Sequence, residues 1–419
     1  MNKTEEAKKK IWSMVGRDPY AMPLDEIDLS HPGIWQANEY LPFLERLRKE
    51  DPVHYCKLSA VGPYWSVTKY ADIMEVDTSP DVYSSEPTIG IVDTNLENTF
   101  PMFIAMDPPR HDEQRRVVQG VVAPMNLKKL ESVIRQRVCT ILDNLPLGEN
   151  FNWVERVSIE LTTQMLATLF DFPFEDRYKL TRWSDAFTAI PGKGIIESYQ
   201  QRQQMVQDCL AYFTRLWNER VNREPGNDLV SMLAHGEATR NMSPAEYLGN
   251  VMLLIVGGND TTRNSISGGV LALNENPGEY QKLRDNPGLI PNMVSEIIRW
   301  QTPLAHMRRT AKVDTVLGGK TIKAGEKVVM WYASGNRDED AIERANEFWI
   351  DRPNARNHLS FGFGIHRCMG NRLAEMQLRI VWEEVMQRFH TVEVVGEPKR
   401  IYSSFVKGYS ELPVVVHPK

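Results

Sequence analysis

The sequence predicts a mainly α-helical fold with minor β sheets, on three observations. From about Asn126 to Ala272 apolar residues recur every third or fourth position, as in Leu127, Leu130, Ile134 and Val138, and again in Leu161, Met165, Leu166 and Leu169. That period keeps one face of a helix apolar. A helix start signal, Ser243-Pro244-Ala245-Glu246, lies inside the same stretch. Strand-like runs are short and confined to the two ends of the chain.

Along the chain, the first strand signal is Tyr64-Trp65-Ser66-Val67-Thr68, rich in aromatic and β-branched residues. Helices follow, with Pro191-Gly192 and Pro225-Gly226 as helix-to-helix loops. At Ser243 a capping hydroxyl, a proline at the first helical position and Glu246 form a capping box. The apolar pattern then runs to about Leu273, where Asn276-Pro277-Gly278 stops it. Roughly 30 residues at about 1.5 Å each give a helix on the order of 45 Å long. Lys327-Val328-Val329-Met330-Trp331 and Leu412-Pro413-Val414-Val415-Val416 are the later strands. Gly319-Lys320-Thr321 looks like the end of a phosphate loop, but Asp314 stands where the first glycine is required, so a hairpin turn is expected.

The 419 residues are 42% hydrophobic, 9% aromatic and 25% charged, enough to fold around a core without disulfide staples. A net charge of −6 and the lack of long like-charge runs argue against a nucleic-acid binder. MNKTEEAKKKIWSMVG is too polar for a signal peptide, and no apolar run approaches the about 18 residues of a membrane span. A soluble, cytoplasmic protein is expected. Cys56, Cys139, Cys209 and Cys368 lie far apart with no C-x-x-C pair, against a disulfide framework or structural zinc. With no repeat, linker or clean boundary, residues 1–419 read as a single domain.

The sharpest local feature is Phe361-Gly362-Phe363-Gly364-Ile365-His366-Arg367-Cys368-Met369-Gly370, leading into a helix start at Asn371. As a dinucleotide loop it fails, because Arg367 replaces the third glycine and no βαβ pattern surrounds it. A turn with a buried thiol is the bland alternative, since free cysteine usually behaves as a small hydrophobe. Yet a cysteine just ahead of a helix meets unpaired N–H groups and the positive end of the helix dipole, which favour thiolate. Glycines beside it let a flat group approach, and thiolate is a strong axial ligand for haem iron.

The decapeptide fits F-G-x-G-x-H-x-C-x-G and resembles the cytochrome P-450 family of haem-thiolate monooxygenases. The resemblance runs from Met106-Asp107-Pro108-Pro109 to the C-terminal strands. It implies the cytochrome P-450 fold, with a long central helix over haem b. It also implies Cys368 as the metal-ligating thiolate, Phe361 beside its sulfur, Gly364 and Gly370 for close approach, and His366 directed to a haem propionate. His111 and Arg115, one turn apart in H-x-x-x-R, and Arg309 would point at propionates too.

Gly257-Gly258-Asn259-Asp260-Thr261-Thr262 interrupts the long helix with two glycines, each costing about 1 kcal/mol relative to alanine. Without side chains at 257 and 258 the helix can pass over a planar cofactor, while Thr261 can hydrogen-bond toward dioxygen and Asp260 can relay protons from water. The resemblance makes Asp260 and Thr261 the family's acid-alcohol pair, the catalytic residues here. Glu296-Ile297-Ile298-Arg299 is an E-x-x-R whose Glu296 and Arg299 share a helix face. With Arg352 they would form the family's buried structural triad, although Asp351-Arg352-Pro353 lacks the aromatic that often follows the arginine.

The chain after Cys368 is too short for a flavin reductase module. Electrons from NADH are therefore expected through a ferredoxin reductase and a [2Fe-2S] ferredoxin, docking on a basic patch of Arg116, Lys128, Arg367 and Arg372. A monomer is expected. Leu254 to Asn264 and Met330 to Asp338 look like the bacterial terminal alkane hydroxylases, a subgroup acting on medium-chain alkanes, with some members taking fatty acids or cyclic terpenes. Leu253, Val256, Gly257, Ala305 and Met307 match positions that face substrate, and their lack of polarity suits a hydrophobic molecule held by area burial. The segments Ile89 to Phe103 and Ala186 to Gln204 would shape the entrance, with Arg182 or Arg202 available to a fatty-acid carboxylate. A haem gas sensor, an electron carrier and a peroxygenase are the rival readings, and Asp260-Thr261 argues against all three.

Overall fold

A computed structural model describes residues 14–93 and 100–419. The central part of the supposed entrance segment Ile89 to Phe103 thus lies outside the described residues. The capping box at Ser243 acts as its chemistry predicts: the Ser243 hydroxyl accepts the Glu246 N–H at 3.2 Å. The helix it starts spans Pro244–Glu275, 32 residues, and gives way at Asn276 to a second helix, Pro277–Asp285, with proline at its first turn.

Buried residues fall on all sides of this central helix, as expected of a helix at the middle of a domain. Its first half packs Leu248, Val251 and Ile255 among Phe170, Leu180 and Phe213, from the helices Glu160–Phe170, Tyr178–Thr188 and Tyr199–Val221. Its second half packs Ile266, Val270 and Leu273 against Ile297 of Ile290–Gln301 and Val381 and Trp382 of Asn371–Arg388. Each such side chain contributes about 1.5–3 kcal/mol on full burial. Two core regions thus share one axis.

The strands are minor and peripheral, as the sequence predicts. A five-stranded sheet runs in the order Val53–Cys56, Tyr64–Val67, Lys327–Met330, Met307–Ala311, Tyr83–Ser84. The Tyr64 and Lys327 strands are parallel, with Trp65 opposite Val328, and the other pairings are antiparallel. Pro413–Pro418 lies between Phe151–Asn152 and Phe389–Val394 in a three-stranded sheet. Thr315–Leu317 and Lys320–Ile322 form the expected hairpin, turned by Gly318 and Gly319 at φ +54 and +75. Among the described residues no helix is long and apolar enough to cross a membrane.

Candidate active site

The glycine-rich loop is shaped by two left-handed residues, Gly362 at φ +63 and Gly364 at φ +64. A Cβ on Gly364 would stand 2.5 Å from the Asp77 carbonyl oxygen, so glycine is required there by the backbone and by its neighbour. Beyond this turn Cys368 donates its N–H to the Phe361 carbonyl at 2.8 Å, and Gly370 caps the helix Asn371–Arg388. Around Gly370 a Cβ would meet nothing within 4 Å.

Cys368 alone of the four cysteines is exposed; Cys56 and Cys209 are buried and Cys139 is intermediate. Its thiol nevertheless has protein mass around it, since burial pushes its pKa up, against the Gly370 and Asn371 N–H groups and the charges of Arg115 and Arg367. An accessible sulfur enclosed by protein lines an interior cleft. The helix terminus acts on the thiol in the expected direction, but desolvation outweighs it. The neighbouring Met369 packs into the same apolar cluster as Leu253 and Leu254 of the central helix.

Between its two ends, from 247 to 273, the residues of that helix that keep accessible surface are Leu253, Val256, Gly257, Gly258 and Thr261, while 259 and 260 are buried. Positions 253, 256, 257 and 261 form a single stripe at helical spacing. A Cβ on Gly257 would meet nothing within 4 Å. The Thr261 hydroxyl donates to the Gly257 carbonyl at 3.0 Å, an i to i−4 bond that turns its oxygen along the open stripe. Asp260, seven residues on from Leu253, is fully buried. Its Oδ1 forms an ion pair with Arg263 at 2.9 Å and accepts from Ser184 at 3.1 Å and Asn259 at 3.2 Å, and Oδ2 has no hydrogen-bond partner. Arg263 also pairs with Asp185 at 3.0 Å.

A cationic edge lies beside the cysteine loop. The rings of His111 and His366 are 4.1 Å apart, and Arg115 donates to the Arg367 carbonyl at 2.5 Å. His111 Nδ1 pairs with Asp112 at 2.7 Å and His366 Nε2 with the Ser85 hydroxyl at 2.8 Å. Their other ring nitrogens, His111 Nε2 and His366 Nδ1, are buried without a partner. Burial lowers both histidine pKa values, with the charge of Arg309 adding to it. Arg309 itself donates to Asp77 at 2.8 Å and to the Arg308 carbonyl at 2.9 Å. Asp77 also accepts the Phe363 N–H at 2.7 Å and the Tyr332 hydroxyl at 3.1 Å, which ties the cysteine loop to the sheet.

Glu296, Arg299 and Arg352 come together, all buried. Glu296 accepts from Arg299 at 2.7 and 2.8 Å, from Arg352 at 3.0 Å and from the Trp349 N–H at 2.9 Å. Arg299 reaches on to the carbonyls of Asn336, Ala345 and Glu347, so the group staples the segment that precedes the cysteine loop. Proline at 353 does not disturb it.

Ala305, expected to face substrate, is fully buried and packs with Trp331 and Ala333, held by backbone bonds to Phe405 and Ala333. Met307 keeps partial exposure and packs against the same apolar cluster as Phe363. Asp77, Ser85 and Ser184 carry no signal in the sequence, because their partners Arg309, His366 and Asp260 are far away in the chain, whereas Arg263 lies one turn beyond Asp260 and could have been found from that spacing.

The fold and this cleft correspond to those of helical haem-dependent monooxygenases. A cytochrome P450 family model matches residues 288–412. Linalool 8-monooxygenase of Pseudomonas putida is 34% identical over 408 residues, 94% of this chain and 100% of that protein. A methyl-branched lipid omega-hydroxylase of Mycobacterium tuberculosis is 31% identical over 417 residues, 95% of this chain and 96% of its own. Among solved structures, cytochrome P450-153 from Novosphingobium aromaticivorans superposes with a TM-score of 0.88 at 46% identity, covering 93% of this chain and 99% of that one. The chain belongs to the cytochrome P450 family. Membership brings haem as cofactor, dioxygen as co-substrate, a hydrophobic substrate and separate redox partners.

Proposed function

We propose that this chain hydroxylates medium-chain alkanes or fatty acids at the terminal carbon, inserting one atom of dioxygen into a C–H bond. The observation that carries the reading is the accessible stripe of the central helix, where Leu253, Val256 and Gly257 offer only apolar surface. Resemblance of the segments Leu254 to Asn264 and Met330 to Asp338 to terminal alkane hydroxylases supports it. So does 46% identity to cytochrome P450-153.

The residues present fit haem. Cys368 is the accessible thiol, Gly257 and Gly370 leave room for a flat group, and the orphaned His366 Nδ1, whose Nε2 can accept from the Ser85 hydroxyl, suits a carboxylate beside Arg115 and Arg309; His111, whose Nδ1–H is held by Asp112, would do so as an imidazolium. In this reading Cys368 Sγ would ligate the haem iron, with Phe361 beside it. His111, Arg115, Arg309 and His366 would hold the propionates, and Gly364 keeps the loop in its turn. Haem, when bound, supplies the activation of dioxygen. Asp260 takes a proton at its unpartnered Oδ2 and passes it toward the Thr261 hydroxyl, the acid-alcohol pair of the site. Glu296, Arg299 and Arg352 keep the loop in place.

Electrons come from NADH through a ferredoxin reductase and a [2Fe-2S] ferredoxin. Arg116, Lys128, Arg367 and Arg372 are all exposed, and none has an ion-pair partner among the described residues, which suits an acidic protein. Residues 1–419 work as one domain. The test is a binding screen of n-alkanes against fatty acids of matched length, followed by product regiochemistry with reductase and ferredoxin. Mostly subterminal alcohol would remove the terminal assignment. A second reading, terpene hydroxylation, is favoured by the 34% identity to linalool 8-monooxygenase; linalool turnover exceeding that of every linear substrate would select it.

A further inference from the structure

A second cavity, of about 90 Å³, lies apart from the cysteine loop. It opens between the C-terminal half of the central helix, from Gly268 to Glu275, and the segment from Arg400 to Tyr409. Its lining is unusually cationic for a recess of this size. Arg337 is 6% exposed, and its guanidinium stacks 3.5 Å from the centre of the Trp300 ring. Among the described residues its side-chain N–H groups meet no acceptor and no carboxylate.

Lys407 stands next to it. Its ammonium donates to the Tyr40 hydroxyl at 3.0 Å and to the Trp300 carbonyl at 3.4 Å, and it too has no ion pair among the described residues. Arg400 adds a third unpaired cation at the mouth, 5.8 Å from the Tyr409 ring. The single acid in the lining, Glu275, is exposed. Three positive charges and one negative charge therefore line the recess.

A cation held away from water without a counter-charge is strongly unfavourable. The local field bears this out. Burial pushes Arg337 down to about 9 and also lowers Lys407. At Tyr40 burial alone would raise the hydroxyl, yet Lys407, Arg337 and Arg400 together pull it below its ordinary value. Stacking on Trp300 fixes the plane of the guanidinium, leaving its edge to offer two parallel N–H donors. The third N–H of Lys407 adds a point charge from the side.

We infer that this cavity is a binding site for a small oxyanion, a phosphate or a carboxylate, gripped by Arg337 and Lys407 with Arg400 at its mouth. The site shares no residue with the cleft at Cys368 and does not depend on the substrate proposed above. Its floor includes Gly268, Leu271 and Ala272 of the helix that carries Asp260 and Thr261, so the occupant rests on the same rigid element.

The experiment is isothermal titration calorimetry of the haem-loaded protein with inorganic phosphate and, separately, acetate, at ionic strength held constant with chloride. One saturable site per chain is expected, together with a melting temperature that rises with oxyanion concentration by mass action. Whichever anion binds more tightly identifies the class. Lys407→Met and Arg400→Gln should each weaken binding by about tenfold or more while the carbon-monoxide difference spectrum of the reduced protein stays unchanged. Arg337→Lys, which keeps the charge and loses the fork, should weaken it as well; if that variant does not fold, Lys407→Met decides. Absence of saturable heat with both anions, or affinity unaltered in Lys407→Met, would overturn the assignment.

Discussion

Asp260 and Arg263 form an ion pair at 2.9 Å along one face of the central helix, inside the protein. Arg263 is shared with Asp185 of the helix Tyr178–Thr188, so the acid of the proposed acid-alcohol pair is tied to a neighbouring helix through one guanidinium. Asp260 is fully buried while Thr261 keeps accessible surface, so in the proposed relay the unpartnered Oδ2 is the atom that would carry the proton.

Asp260→Asn removes the carboxylate and leaves a side chain of the same shape. Product formation should fall by about 10²–10⁴, with the carbon-monoxide spectrum of the reduced protein intact and the solvent deuterium isotope effect on turnover increased. Unchanged turnover would show that Asp260 serves Arg263 only as a structural partner.

The buried triad supports a stability prediction. Arg352→Ala leaves Glu296 with Arg299 as its one cationic partner and frees the Glu343 carbonyl and the Arg344 carbonyl that Arg352 now satisfies, the latter at 2.9 Å. Breaking a buried pair by removing one partner costs about 3–5 kcal/mol. Urea unfolding should show that loss as a lower midpoint at constant slope. A change below about 1 kcal/mol would place the pair among ordinary surface contacts.

Much of this was legible in the chain because the signals are local. Ser243, Pro244 and Glu246 lie within one turn, and their capping geometry follows from spacing alone. The apolar period likewise gave the helices, and the Cys368 loop gave the chemistry. The burial of Ala305 was not legible: it depends on Trp331, Ala333 and Phe405, brought in by tertiary packing. The same holds for Asp77, which meets Arg309, Phe363 and Tyr332 from distant parts of the sequence. Desolvation of Cys368 is another property of the assembled fold, invisible to a reading of the residues beside it.

The two adjacent glycines of the central helix should behave differently. At Gly257 a methyl group meets open space, so Gly257→Ala gains up to about 1 kcal/mol of helix propensity but narrows the apolar stripe. At Gly258 the added carbon would lie 2.7 Å from Leu166 Cδ2, and Leu166 is buried, so overpacking of about 1–3 kcal/mol is expected. Thermal melting should rank Gly257→Ala at or above wild type and Gly258→Ala below it. Substrate binding titrations should show Gly257→Ala losing affinity for cyclic substrates more than for linear ones. A reversed order of melting temperatures would mean that Leu166 yields freely.

His306 gives a pH dependence whose sign is fixed by its surroundings. It is fully buried against Trp331 and Phe405, with Nδ1 bonded to the Ser404 carbonyl at 2.9 Å and Nε2 unpartnered. Desolvation lowers its pKa to about 4, against the Ser404 bond, while the unfolded chain titrates near the ordinary value of 6.5. Between these values the unfolded state binds the extra proton, so stability present above pH 6.5 is lost as pH falls toward 4. From pH 7 to pH 5 the loss from this residue should be roughly 2 kcal/mol. His358, lowered to about 3 by burial and the charge of Arg299, acts in the same sense, while Asp77 and Asp185, raised by burial, oppose it toward the acid end. Comparing urea unfolding of wild type and His306→Asn at both pH values isolates the His306 share, because the other groups cancel in the difference. The wild type should lose roughly 2 kcal/mol more than the variant; parallel losses would mean that His306 is protonated in the folded protein as readily as in the unfolded chain.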